Sequence, residues 1–310
     1  MYLLKLTYVR LFQKIRIIVK YNTIYILKNK EFRIINQNKY KLKNTSIREM
    51  NIMEYHSRDK VYIRLLNALL FVVLTAVTVR FSFFHGKKSL INYLDLNFYM
   101  APYKVAYIFH AISFIAMMIF VILQLSSSSY GIKKKVTENY SYLTPASFLC
   151  MIIHIYFLNI RNFKISAVFA FILLLLTSAI YIKAQAMKRF MYNDEINMYV
   201  CPFSIFVSWS LSLLFITVNI MLTDNLTINS NAFVIIATIE LMMILSLSIL
   251  VLFMYKDKIF VLVQAVYLIC LAVNTQINGY FMPVGYLCFL SIVVLGVFWF
   301  RIFNKNRGGK

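Results

Sequence analysis

The sequence predicts an all-α, polytopic transmembrane helical bundle of about eight spans with both termini cytosolic, and three observations carry that prediction. Hydrophobic residues occupy 61% of the chain and the mean hydropathy is +0.72, which excludes an ordinary soluble composition. The apolar residues gather into eight stretches, each near the roughly 20 residues that a helix needs to cross a hydrocarbon core of about 30 Å. Lysine and arginine collect on alternate connections between those stretches. Backbone polar groups in lipid must bond within their own segment, so the stretches are helices; a barrel would show shorter, alternating strands.

Residues 1–60 form a basic tail, with no acidic residue before Glu31. Several readings remain open for it: a mobile tail, a basic amphipathic helix on an anionic leaflet, or a chain whose functional start is Met50 or Met53. A mitochondrial presequence fits less well, because the segment is nearly free of serine and richer in Lys than Arg. The bundle is expected over residues 61–303. Its segments are Leu65–Phe84, Tyr103–Leu125, Tyr142–Ile160, Ile165–Ile182, Pro202–Leu222, Ala232–Tyr255, Ile259–Ile277 and Pro283–Phe300. Pro102, Pro145, Pro202 and Pro283 stand at or near the starts of the second, third, fifth and eighth segments. There the missing N–H of proline has no helical partner to lose. The third and fourth segments, and the seventh and eighth, are close enough to read as tight hairpins. A basic tail, residues 304–310, closes the chain.

The net charge of +22 would suggest nucleic acid in a soluble domain; here it is explained by loops retained on one side, and no nucleic-acid partner is expected. Lys133 to Lys135, then Lys183, Lys188 and Arg189, then Lys256 and Lys258, share a side with both tails. The opposite loops hold Lys87, Lys88, Arg161 and Lys164, and the last two hold no basic residue. The positive-inside rule then places both ends in the cytosol. Arg64, Arg80 and Lys104 sit at segment ends, where long side chains snorkel.

Cys150, Cys201, Cys270 and Cys288 lie in or beside the segments without CxxC spacing, so neither a disulfide framework nor a metal site is expected. Asn225-Leu226-Thr227 is a glycosylation tripeptide on an outer loop too near the bilayer to carry weight. HExxH, GxSxG and phosphate-cradling glycine loops are absent, and no catalytic residues are assigned. No proline interrupts a segment centre, so the broken helices of many transporters are not signalled.

Polar side chains inside lipid are costly and are therefore the default site candidates. Counting about 1.5 Å per residue puts His110, His154, Glu240, Asn219 and Asn274 in the outer half of the bilayer on five different segments. If their faces converge they line an outward pocket or proton relay with Glu240 as its acid. The competing reading is structural: each histidine satisfies a neighbouring carbonyl and each asparagine bridges two helices. The same count puts Trp209 in the inner half, in a separate pocket, while Trp299 reads as an interfacial anchor.

Two motifs carry a family resemblance. Cys201-Pro202-Phe203-Ser204-Ile205-Phe206-Val207-Ser208-Trp209 is similar to the Pro-Phe-Ser-Ile-aromatic-x-x-Trp that opens a late span of the tryptophan-rich sensory protein, or translocator protein (TspO/MBR), family. Pro102-Tyr103-Lys104-Val105-Ala106-Tyr107-Ile108-Phe109-His110, with Gln124 near the segment's end, resembles that family's Pro-x-x-x-x-aromatic-x-x-Trp. His110 stands where the family commonly has Trp, and Asn219 is displaced by two positions from the expected Asn. The resemblance implies a ligand of tetrapyrrole or sterol type, although an aromatic cage would have to be rebuilt from Tyr and Phe.

The expected protein is thus a multi-pass, non-enzymatic sensor or carrier that sits in the lipid bilayer and binds a hydrophobic or porphyrin-like molecule within the bundle. Tyr107, His110, His154, Trp209, Asn219, Glu240 and Asn274 are its candidate ligand-binding residues. Aromatic faces would come from Tyr107 and Trp209; His110 and Glu240 would orient a polar end or exchange a proton. The alternatives are a small-solute or proton-coupled transporter and an intramembrane lipid-modifying transferase.

Overall fold

A computed structural model describes residues 61–83, 102–126, 140, 142–188, 191, 193–225, 230–277 and 282–304. The basic tail 1–60, most of the glycosylation tripeptide and the tail after Asn304 lie outside the described residues. Every regular element among the described residues is helical. The helices are α1 (Val61–Phe83), α2 (Ile108–Ser126, preceded by a 3₁₀ turn over Lys104–Tyr107), α3 (Leu143–Asn159) and α4 (Phe163–Met187). They continue with a short α5 (Asn193–Tyr199), then α6 (Cys201–Asn225), α7 (Ser230–Tyr255), α8 (Lys258–Ile277) and α9 (Met282–Asn304). Among these, seven spans are long and apolar enough to cross a membrane, while α3, at 17 residues, is a shorter apolar helix.

All eight expected segments are therefore helical. The prolines sit where the sequence places them: Pro145 in the first turns of α3, Pro202 and Pro283 at the second residues of α6 and α9. Two connections are very tight. Between α3 and α4, Arg161 takes a left-handed conformation (φ 63°), the Asn162 N–H reaches back to the Phe157 carbonyl at 2.9 Å, and the Asn162 side chain accepts from the Ile165 N–H. One helix is closed and the next capped within three residues. Between α7 and α8, Lys256 is left-handed (φ 51°) and Asp257 caps α8 from its Oδ1, accepting from the N–H groups of Ile259 and Phe260 at 2.9 and 3.2 Å. This second sharp turn joins the sixth and seventh segments. The residues joining the seventh and eighth, 278–281, are outside the described set.

α6 is the axis of the bundle. Its span, Glu195–Thr223, has 72% of its most apolar window buried, against 22–50% for the other six. It packs on α2, α4, α5 and α8. Ser204, Ser208, Ser210 and Ser212 are all buried along it, and side chains this small let neighbouring backbones approach closely. The outward surfaces are apolar instead: Leu65, Leu69 and Val72 on α1, and Phe289, Val297 and Phe300 on α9, are exposed. An outward surface of large apolar side chains, with small and polar ones admitted to the axis, is the distribution expected where lipid is the solvent.

Contacts between helix ends show that the helices alternate in direction. Asn67 near the start of α1 donates to Gln124 near the end of α2 at 2.8 Å. At that same kind of end, Gln185 late in α4 and Ser204 early in α6 both reach Asp257 before α8. At the opposite kind of end, the Tyr103 N–H donates to the Cys270 carbonyl in the second half of α8 at 2.9 Å.

Candidate functional site

α2 brings the first functional side chains into the bundle. Its 3₁₀ lead-in places Tyr107 and His110 on the side facing α6, whose Trp209 is almost fully buried. The Trp209 indole N–H donates to His110 Nδ1 at 2.9 Å. Tyr107 meets the indole edge to face, ring centroids 6.1 Å apart and nearly perpendicular, a favoured aromatic geometry. On its other flank His110 contacts Phe114 at 4.8 Å.

This arrangement overturns the expectation that Trp209 belongs to a separate pocket deeper than His110. The depth count took the start of the second segment as the membrane face. The Tyr103–Cys270 hydrogen bond instead pins that start seven residues short of the end of α8, about 10 Å inward. His110 is carried down by the same amount and meets Trp209 near the bundle's middle.

An indole N–H can only donate, so His110 Nδ1 is the acceptor and the ring is neutral, with its proton on Nε2. The His110 Nε2–H is buried and meets no acceptor among the described residues. His154 on α3 has the opposite tautomer. Its Nδ1 lies 3.1 Å from the Ser166 carbonyl oxygen, which can only accept, so Nδ1 carries the proton. Ser166 Oγ, 2.9 Å from the same nitrogen, accepts from it and donates to the His154 carbonyl at 3.1 Å. His154 thus locks α3 to α4, the structural role weighed for it above.

Farther along α6, Asn219 donates from Nδ2 to Glu240 Oε2 on α7 and to the Phe215 carbonyl, both at 2.7 Å. Glu240 and Asn219 are buried. Tyr267 of α8 is fully buried as well. Asn274 is half-buried, two turns beyond Tyr267 on α8. The structure therefore brings Tyr107, His110 and Trp209 together and, farther along α6, pairs Asn219 with Glu240, while His154 is engaged with Ser166.

Sequence reasoning missed Tyr267 and Gln264. Gln264 donates from Nε2 to the Ser208 carbonyl at 2.6 Å and to Ser208 Oγ at 2.8 Å, while Ser208 Oγ donates to the Phe260 carbonyl. A glutamine at the centre of an apolar segment was the available signal; one tyrosine among 22 offered none. The hydroxyls of Tyr107, Tyr267 and Ser113, together with Gln264 Oε1 and Asn219 Oδ1, are buried without a protein partner among the described residues. An unpaired polar atom in a dry interior costs about 1–3 kcal/mol, so a group that supplied the missing partner at any of these atoms would be favoured there. No cluster of three or more His, Cys, Asp or Glu able to hold a metal ion occurs among the described residues.

Comparison with known proteins agrees with the motifs. A family model described as TSPO-like protein matches residues 63–301, most of the chain. No curated protein and no solved structure matches it.

Proposed function

The chain belongs to the TSPO-like family and is an integral, multi-pass membrane protein; on that premise we propose that it is a non-enzymatic sensor or carrier binding a hydrophobic, porphyrin-like or sterol-like molecule inside the bundle. The observation that supports this most is the buried, unpaired His110 Nε2–H beside the Trp209 and Tyr107 rings. The rings offer faces to a flat apolar body, and the imidazole with the Tyr107 and Tyr267 hydroxyls offers donors to a carbonyl or carboxylate on its edge. Glu240, held by Asn219, would receive a donor from the same molecule. The same reading takes the more basic face of the bundle, and with it both termini, as cytosolic.

Trp209 is the natural reporter, because Trp299 is the only other tryptophan. In a Trp299→Phe background, metal-free protoporphyrin should quench Trp209 emission saturably. His110→Leu should weaken that binding about tenfold, equivalent to roughly 1.4 kcal/mol. Saturable quenching that is unchanged in His110→Leu and in Tyr107→Phe would remove these residues from any such site, and no quenching would remove the ligand class.

A further inference from the structure

A cavity of about 540 Å³ lies between the last turns of α1 and α3, and none of the candidate ligand-binding residues lines it. Val77, Ile153, Tyr156 and Phe157 supply apolar wall, while Arg80 and Asn159 supply the polar atoms. The volume falls within the roughly 300–1,000 Å³ typical of small-molecule pockets. Two features give it chemical character. Arg80, three residues from the end of α1, is exposed and presents a guanidinium at the depth where a bilayer turns polar. Asn159 Oδ1 is buried and has no partner among the described residues.

We propose that this groove is a second binding site, for an anionic amphiphile whose acyl chain lies along Val77, Ile153 and Phe157 and whose carboxylate or phosphate is held by Arg80. A guanidinium forms short, charge-assisted, often bidentate bonds to either anion, and does so most strongly where water is scarce. Asn159 Oδ1 accepts from a hydroxyl or ester-adjacent donor near the headgroup. A zwitterionic lipid places its own cation beside Arg80 and loses that contact. Three rings, Phe81, Tyr156 and Phe157, stand among the aliphatic side chains of the wall.

The test is native mass spectrometry of the full chain released from micelles containing oleate, phosphatidylglycerol or phosphatidylcholine. The anionic probes should give adducts at least fivefold more abundant than phosphatidylcholine. Arg80→Gln should reduce them to the phosphatidylcholine level, and Ile153→Trp, which fills the groove and keeps the charge, should do the same. Adducts from oleate alone identify a free acid, and adducts from phosphatidylglycerol alone a phospholipid headgroup; either supports the site. Adducts that survive Arg80→Gln, or that survive Ile153→Trp, would overturn it, as would equal retention of phosphatidylcholine. Glu240→Gln and His110→Leu, run beside them, should leave the adducts unchanged, so this site and the central one fail separately. Thermal unfolding of each variant confirms that the bundle is intact.

Discussion

The two apolar cores on either side of α6 are held by different forces. The core toward the start of the chain is built from rings. Phe203 meets Phe120 at 4.7 Å and Tyr140 at 4.9 Å, and Phe71 meets Phe148 at 5.5 Å. The core toward the end of the chain is laced by polar groups that cross between helices. The Asp257 carboxylate is the densest node: Tyr181 O–H, Gln185 Nε2 and Ser204 Oγ donate to its Oδ2 at 2.8, 2.9 and 2.6 Å, tying α4, α6 and α8 together. α6 is shared between them, with Phe203 and Phe206 in the first core and Val207 to Ile220 in the second. Helices already in lipid gain little from burying apolar surface, so association must come from close packing or from interhelical hydrogen bonds. The first core leans more on rings, with Asn67–Gln124 and His154–Ser166 as its polar links, and the second more on interhelical hydrogen bonds; Trp209 and Tyr107 belong to the second.

The comparison is tested hardest at Asp257. Asp257→Ala removes the α8 cap and leaves three buried donors without their acceptor, which should cost about 4 kcal/mol. A large drop in thermal midpoint in detergent is expected, with Asp257→Asn recovering part of it. A midpoint within a degree or two of wild type would mean that the second core is held by packing after all. Phe203→Ala should follow, at about 2–3 kcal/mol, because it empties the space between Phe120 and Tyr140. Recovery of most of that loss in Phe203→Leu would show that volume, not ring geometry, holds the first core. The smallest effect is expected at Gln264→Leu, about 1 kcal/mol, near the upper range of interhelical hydrogen bonds measured in membranes. A loss as large as that of Asp257→Ala would make Gln264, rather than the carboxylate, the centre of the second core.

Much of the bundle was legible because lipid imposes simple rules on sequence. Length and apolarity marked all eight helices, and proline positions marked several starts. The alternation of helix direction was legible too, in the alternating charge of the loops. Asp257 was not: it lies in a loop between two lysines, where a carboxylate reads as solvated. Only the left-handed turn at Lys256 aims it into the bundle. His154 and His110 looked alike in sequence, two lone imidazoles at similar counted depth. Ser166 makes one a structural clasp, while Trp209 leaves the other with an Nε2–H that meets no acceptor among the described residues.

The family motifs drew attention to the right aromatic residues without saying which would touch. Pro102 through His110 and Cys201 through Trp209 are both short, and their tips meet through an indole–imidazole hydrogen bond 99 residues apart in the chain. Nothing local to either motif specifies that contact. It depends on where α2 begins against α8.

By itself the sequence determined the eight long apolar helices (though not the short α5), their membrane-spanning character, their alternating course and their family, because each follows from hydropathy, charge and short motifs along one dimension. The tertiary structure alone decided depth and partnership: that Trp209 meets His110, that Asn219 holds Glu240, and that Asp257 ties three helices. The physical reason is that helix tilt, start level and rotation are set by side chains from distant segments packing together, and an axial count of residues carries none of that information.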